Sequence, residues 1–204
     1  MSNENNSVTL KGTITEVPSL SHKVYGEGFY NTFIAVPRLS GSCDVLPVTV
    51  SERLLAEGEN IVGKNYYITG QFRSYNNYSD EGSKLKLTVF AKTFERVEEG
   101  DCDEPNDIFL DGYLCKAPTF RETPFGREIA DMLLAVNRAY GKSDYIPIIA
   151  WSRNARFSSH LPVGTHLKIY GRIQSREYQK KVEEEFITKT AYEVSVSKLE
   201  VVEE

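Results

Sequence analysis

The sequence predicts an all-β protein made of two tandem copies of a small five-stranded barrel, and three observations carry that prediction. Apolar and polar residues alternate along most of the chain, the period of a strand with one buried face. Only two short stretches, 52–62 and 152–162, read as helix, each closed by a glycine, Gly63 or Gly164. Sliding the chain against itself by 100 residues superimposes its landmarks. Leu10, Gly12, Pro18, Gly26, Arg38, Gly41, Asp44, Pro47 and Arg53 meet Leu110, Gly112, Pro118, Gly126, Arg138, Gly141, Asp144, Pro147 and Arg153. One-residue slips then align Ile68 and Gly70 with Ile169 and Gly171, and later 89–99 with 194–204. The slips fall where loops tolerate insertion.

Each copy has the same outline. An alternating strand ends at a proline (8–17 and 108–117), a turn carries Gly26 or Gly126, and a long second strand follows (29–36 and 129–136). The third strand (45–50 and 145–151) contains Pro47 or Pro147, which lacks an N–H donor and so requires an edge or bulge position. The short helix comes next, then the fourth strand (65–75 and 165–178), a polar hairpin, and the fifth strand (84–94 and 185–199). Five strands with one short helix between strands three and four fit a closed Greek-key barrel, the OB-fold. The expected organisation is a first barrel at 1–97, an acidic linker at 98–107 and a second barrel at 108–204.

Composition narrows the function. The net charge of −5 is concentrated in the linker and chain ends. Residues 108–202 hold fourteen Lys and Arg against eleven Asp and Glu, and 8–97 hold ten against nine, so both barrels are mildly basic. That permits a nucleic-acid partner without requiring one. No apolar run approaches the roughly 18 residues of a membrane span, and the opening MSNENNSV is polar, so a soluble cytoplasmic protein is expected. Cys43, Cys102 and Cys115 form no CxxC pair, which argues for a reducing compartment and against a zinc site or disulfide scaffold. Cys115 reads as a small apolar filler of its strand. His22, His160 and His166 are scattered, without ligands at metal spacing. No phosphate loop, nucleophile elbow or carboxylate pair is visible, so no enzyme, cofactor, metal or small-molecule substrate is expected. Glu183, Glu184 and Glu185 form a solvated charge run after Lys180 and Lys181; Lys189 and Lys198 read equally as phosphate contacts or as strand coat.

The most informative stretch is 124–151. A period of two places Tyr145, Pro147, Ile149 and Trp151 on one face of a strand and Ile146, Ile148 and Ala150 on the other. The second set suits a core. The first, with Tyr140 just before it and Arg138, Lys142 and Arg153 nearby, suits a platform on which bases stack under a tracked backbone. Strands are also rich in core aromatics, and spacing alone leaves both readings open.

The second copy resembles the bacterial single-stranded DNA-binding proteins. The resemblance rests on Leu110-Asp-Gly112, 120–126 (FRETPFG), 134–138 (LAVNR), 145–151 (YIPIIAW), 161–164 (LPVG) and 169–178 (IYGRIQSREY), in the family's order and spacing. It implies that Tyr140, Tyr145, Trp151 and Tyr178 stack bases while Arg138, Lys142, Arg153, Arg172 and Arg176 attract the backbone. Single-stranded DNA is the implied partner, in replication, recombination or repair, and a homodimer would supply the family's usual four barrels. The counterparts in the first copy are Ser40, Val45, Ser51 and Asn77, none aromatic. Phe72 there reads as core and Tyr75 and Tyr78 as hairpin decoration, so the first barrel is expected mainly to supply an interface. Family members end in an acidic, aromatic-tipped tail; this sequence stops at 199–204, LEVVEE, so partner recruitment is expected to be absent or to use another surface. The alternative is a primosomal-type assembly module that binds DNA weakly.

Overall fold

Strand β1 (Asn6–Ile14) buries every second residue, with Leu10 and Ile14 fully enclosed. This alternation recurs along β2 (Ser19–Val24), β3 (Glu27–Pro37), β4 (Cys43–Ser51), β5 (Asn65–Ser79) and β6 (Gly82–Arg96) only where a strand lines a barrel; β2 is exposed throughout. The second copy repeats the series as β7 (Asn106–Leu114), β8 (Thr119–Glu122), β9 (Glu128–Asn137), β10 (Ser143–Trp151), β11 (His166–Val182) and β12 (Glu185–Val201). The computed structural model describes residues 4–56, 58–79, 82–98, 105–182 and 185–203. The centre of the acidic linker, Cys102, and Glu183 and Glu184 lie outside the described residues.

In the first copy β1 pairs with β5, β5 with β6, β6 in parallel with β4, β4 with β3, and β3 returns to β1. That ring is a closed five-stranded barrel, and β7, β11, β12, β10 and β9 close another in the same order. Closure brings backbones close at conserved offsets of the duplication. A Cβ on Gly70 or Gly171 would strike the carbonyl of Phe90 or Ser195, and each glycine sits at the register shift where the fourth strand bends. Pro47 is tolerated for a related reason. Its carbonyl accepts from Thr88 Oγ1 on β6, so its missing N–H faces the same side, where β4 is bonded only at Val48 and Thr49.

Two details differ from the sequence expectation. The glycine turns 26 and 126 close an additional hairpin strand on each barrel, β2 on β3 and β8 on β9. In the first copy Tyr25 and Gly26 both take positive φ, the two-residue turn that matches strand twist. The expected helix is a true helix only in the second copy, α1 (Ser152–Ser158), which buries Ala155. In the first copy it is one 3-10 turn, Glu52–Leu54, and Gly58 turns the chain away at φ 73°.

The barrels join edge to edge. Asn6–Leu10 of β1 pairs antiparallel with Asn106–Leu110 of β7, making one twelve-stranded sheet. β7 begins at Asn106, inside the stretch read as linker. The seam has approximate twofold symmetry. Asn6 holds the amide and carbonyl of Phe72, and Asn106 holds those of Ile173. Asp44 accepts from the Ser175 amide at 2.7 Å, and Asp144 from the Ser74 amide at 2.8 Å. The same two serines accept from the Val45 and Tyr145 amides through their hydroxyls.

Candidate nucleic-acid interface

β10 is an alternating strand, so its pleat sorts the predicted residues. Ile146, Ile148 and Ala150 are in the core, and Tyr145 and Trp151 face outward. Tyr145 is 43% exposed. Trp151 is half-buried, its indole N–H donating to Ser195 Oγ of β12 at 3.1 Å, a bond that fixes the ring's orientation. Ile149 lies on this outer face too, yet it is buried, so the strand's middle is apolar floor rather than contact surface.

Tyr140 is fully exposed in the turn 139–141, where it takes a left-handed φ of 62° before Gly141. Tyr178 is exposed on β11, with the Arg176 guanidinium 6.0 Å from its ring centre. Of the predicted cations, Lys142 and Arg153 are exposed and make no ion pair among the described residues. Arg176 sits 3.4 Å from Glu193, and Arg138 sits 3.5 Å from Asp144. Arg172 is placed otherwise: its guanidinium crosses the seam and donates to Asp44 Oδ2 at 2.9 Å. It spans the barrels. Lys198 pairs with Glu200 over the Tyr170 ring, so it coats its strand. His166 meets Asp111 at 2.5 Å and stacks on Tyr113.

The seam's two buried aspartates differ. Burial by itself raises the Asp44 carboxyl; the Arg38 hydrogen bonds, the Ser175 amide and the charges of Arg38 and Arg172 outweigh it and hold the group below the usual carboxylate range. For Asp144 burial wins, against the Ser74 amide and the charges of Arg138 and Arg73, and pushes the group up. Gln71 stands where the second copy has Arg172, so no arginine reaches across, and Asp144 Oδ2 is buried without a hydrogen-bond partner. Beside it opens a groove of about 720 Å³ between the barrels, lined among others by Asn5, Gln71, Arg73, Arg138, Tyr140 and Lys142. Both copies contribute to its walls.

One group of residues escaped the sequence reading. On the first barrel His22 stacks on Phe29, Phe29 lies against Phe90, and the Arg73 guanidinium covers Phe90. The available signal was register: Phe29 and Phe90 are outward positions on strands flanking the ring-free β4.

Two closed five-stranded barrels, joined edge to edge and each presenting an outward sheet, make this a tandem OB-fold protein. Residues 105–202 match the Single-strand binding protein family. The chain is 35% identical over 81 residues to the single-stranded DNA-binding protein of Bacillus cereus, covering 36% of this chain and 48% of that one. It is 34% identical over 83 residues to that of Clostridium tetani, covering 37% and 57%. The matched part thus spans about half the length of these relatives. The wild-type single-stranded DNA binding protein of Thermus aquaticus shares the fold, with a TM-score of 0.75 and 23% identity over 98% of this chain and 93% of its own. The second copy is thus similar, over residues 105–202, to the bacterial single-strand binding protein family.

No helix of the described residues is long and apolar enough to cross a membrane. Among the described residues no group of three metal-ligating side chains converges.

Proposed function

We propose that this protein binds single-stranded DNA without sequence preference, in replication, recombination or repair, with the second barrel as its main binding surface. The observation that carries the reading is the placement of four rings on one barrel. Tyr140, Tyr145 and Tyr178 are exposed and Trp151 is half-buried, all outside the core, with Arg138, Lys142, Arg153 and Arg176 around them. Every base has a π face, so such rings attract any sequence, at about 1–3 kcal/mol per stacked base. The cations add an attraction that salt weakens. Two chains associating as a homodimer would present four barrels.

Trp151 is the chain's single tryptophan, so its fluorescence reports this surface directly. Titration with oligo(dT) should give saturable quenching that weakens as salt is raised. No quenching, with no binding in an independent anisotropy assay, would instead support an assembly module. Sedimentation equilibrium checks the dimer.

A further inference from the structure

We infer that the first barrel carries a second base-stacking site, displaced by one strand from that of the second barrel and built on Phe29, Phe90 and Arg73. The inference rests on single-stranded DNA being the ligand of the second barrel and adds a surface to it.

Register shows the displacement. On the second barrel Trp151 faces Ile129 across β9 and hydrogen-bonds Ser195 of β12. The first barrel holds Ser51 opposite Phe29, and Phe90 occupies the position of Ser195, since Phe90 pairs with Gln71 as Ser195 pairs with Arg172. The ring missing from β4 is therefore replaced by rings on the strands at both sides of it. Phe29 and Phe90 lie 5.5 Å apart, with their planes tilted by 35°. Exposed His22, on an edge strand, stacks on Phe29 at 5.1 Å, and the Arg73 guanidinium lies 4.2 Å over Phe90. A planar cation over a ring is itself a stacking partner, and a base can enter the row beside it.

Charge favours the same face. The second barrel carries Asp131 and Glu193 on its outer face, paired with Arg121 and Arg176. The equivalent positions on the first barrel are Asn31 and Thr88, which are neutral and bound to each other through Thr49. Glu27 at the margin is paired with Arg53 at 2.9 Å. A phosphate over this face therefore meets less repulsion than over its counterpart.

The groove beside Asp144 supplies the route. Arg73 forms one wall and Tyr140, Arg138 and Lys142 the other, so a strand leaving Tyr140 along the groove meets Arg73, whose guanidinium covers Phe90. At the symmetry-related position Arg172 and Arg38 both close on Asp44. The two ends of the seam thus differ, and the groove lies at the Asp144 end.

The test uses the full chain with Phe29→Leu/Phe90→Leu, which keeps apolar volume and removes the π faces, and separately with Arg73→Gln. Melting curves confirm folding, and anisotropy with oligo(dT) of about 8 and about 30 nucleotides reads binding, lengths bracketing one and two barrels at about 4–16 nucleotides each. Both variants should bind the long oligonucleotide about 5- to 150-fold more weakly, the equivalent of one stacked base, with a smaller site size. Trp151 quenching by the short oligonucleotide should be unchanged. Wild-type affinity and site size in both folded variants would overturn the inference while leaving the second barrel's role intact. A wild-type chain that binds neither oligonucleotide would overturn both.

Discussion

Replacing Asp44 and Asp144 one at a time by Asn should have unequal effects, although the two occupy equivalent places. Asp44 is fully buried, accepts the Ser175 amide, and sits between Arg38 and Arg172. Removing one partner of a buried charge pair costs about 3–5 kcal/mol, because the other is left uncompensated. Here the guanidiniums retain 29% and 39% exposure, so water offsets part of that and the lower end, about 3 kcal/mol, is expected. Asp144→Asn keeps an oxygen for the Ser74 amide, gives up the attraction of Arg138 and Arg73, removes the cost of burying a charge, and puts an amide nitrogen where the partnerless Oδ2 stood. Its stability should change by less than about 1 kcal/mol, because the cost of burying the charge is removed while an unsatisfied polar atom remains at the same place. The pH dependence separates the two further. Asp44, lowered in the folded state, contributes stability above the unfolded carboxylate pKa and loses it as pH falls through its folded value. Asp144, raised in the folded state, costs stability when ionised, and that cost is relieved as pH falls through its own folded value. Urea unfolding followed by far-ultraviolet dichroism, in steps from neutral pH to below the unfolded carboxylate pKa of about 3.9, measures both effects. Equal losses from the two substitutions would refute the asymmetry of the seam.

Other outcomes follow from the same geometry. Tyr178→Ala should weaken oligo(dT) binding by about 1–3 kcal/mol with an unchanged melting temperature; Ser40→Ala, at the ring-free counterpart of Tyr140, should change neither. With Arg138, Lys142, Arg153 and Arg176 engaged, the plot of log affinity against log salt should have a slope of about −3, at roughly −0.7 per phosphate contact. Placing Arg172→Gln in this series should leave that slope unaltered and lower stability in urea, since its charge is used on Asp44. Gly171→Ala should destabilise the second barrel by more than about 1 kcal/mol in the same unfolding assay, because the new Cβ meets the Ser195 carbonyl.

Much of the barrel was legible because burial on one face of a strand writes itself into the sequence with period two. Ile146, Ile148 and Ala150 lie in the core as that period requires. Of the glycines shared at an offset of 100 or 101, Gly12, Gly112, Gly70 and Gly171 lie against a neighbouring backbone and Gly26, Gly126, Gly41 and Gly141 make positive-φ turns, so the duplication was legible as well. The seam was not. Asp44 and Ser175 are 131 residues apart, and no local pattern distinguishes an aspartate that receives a distant amide from one in solvent. The Arg172–Asp44 pair was hidden for the same reason, since charge and strand position do not reveal a carboxylate brought from the other barrel. The Phe29–Phe90 row was hidden by the comparison that exposed the repeat. Matching equivalent positions finds a ring that is kept and overlooks one that has moved to the adjacent strand.

Joining two barrels through β1 and β7 in one polypeptide also changes how such an interface can vary. In an assembly of identical subunits, any substitution on a twofold axis is made twice, and a contact that suits one side is imposed on the other. Here the two halves of the seam are separate positions in one sequence. Asp44 can be locked by two arginines while Asp144 stays loosely held, and Gln71 can stand where its counterpart is Arg172. The covalent link therefore gives the pair a direction, with one end fastened and the other open, that no exactly symmetric pair of barrels can have.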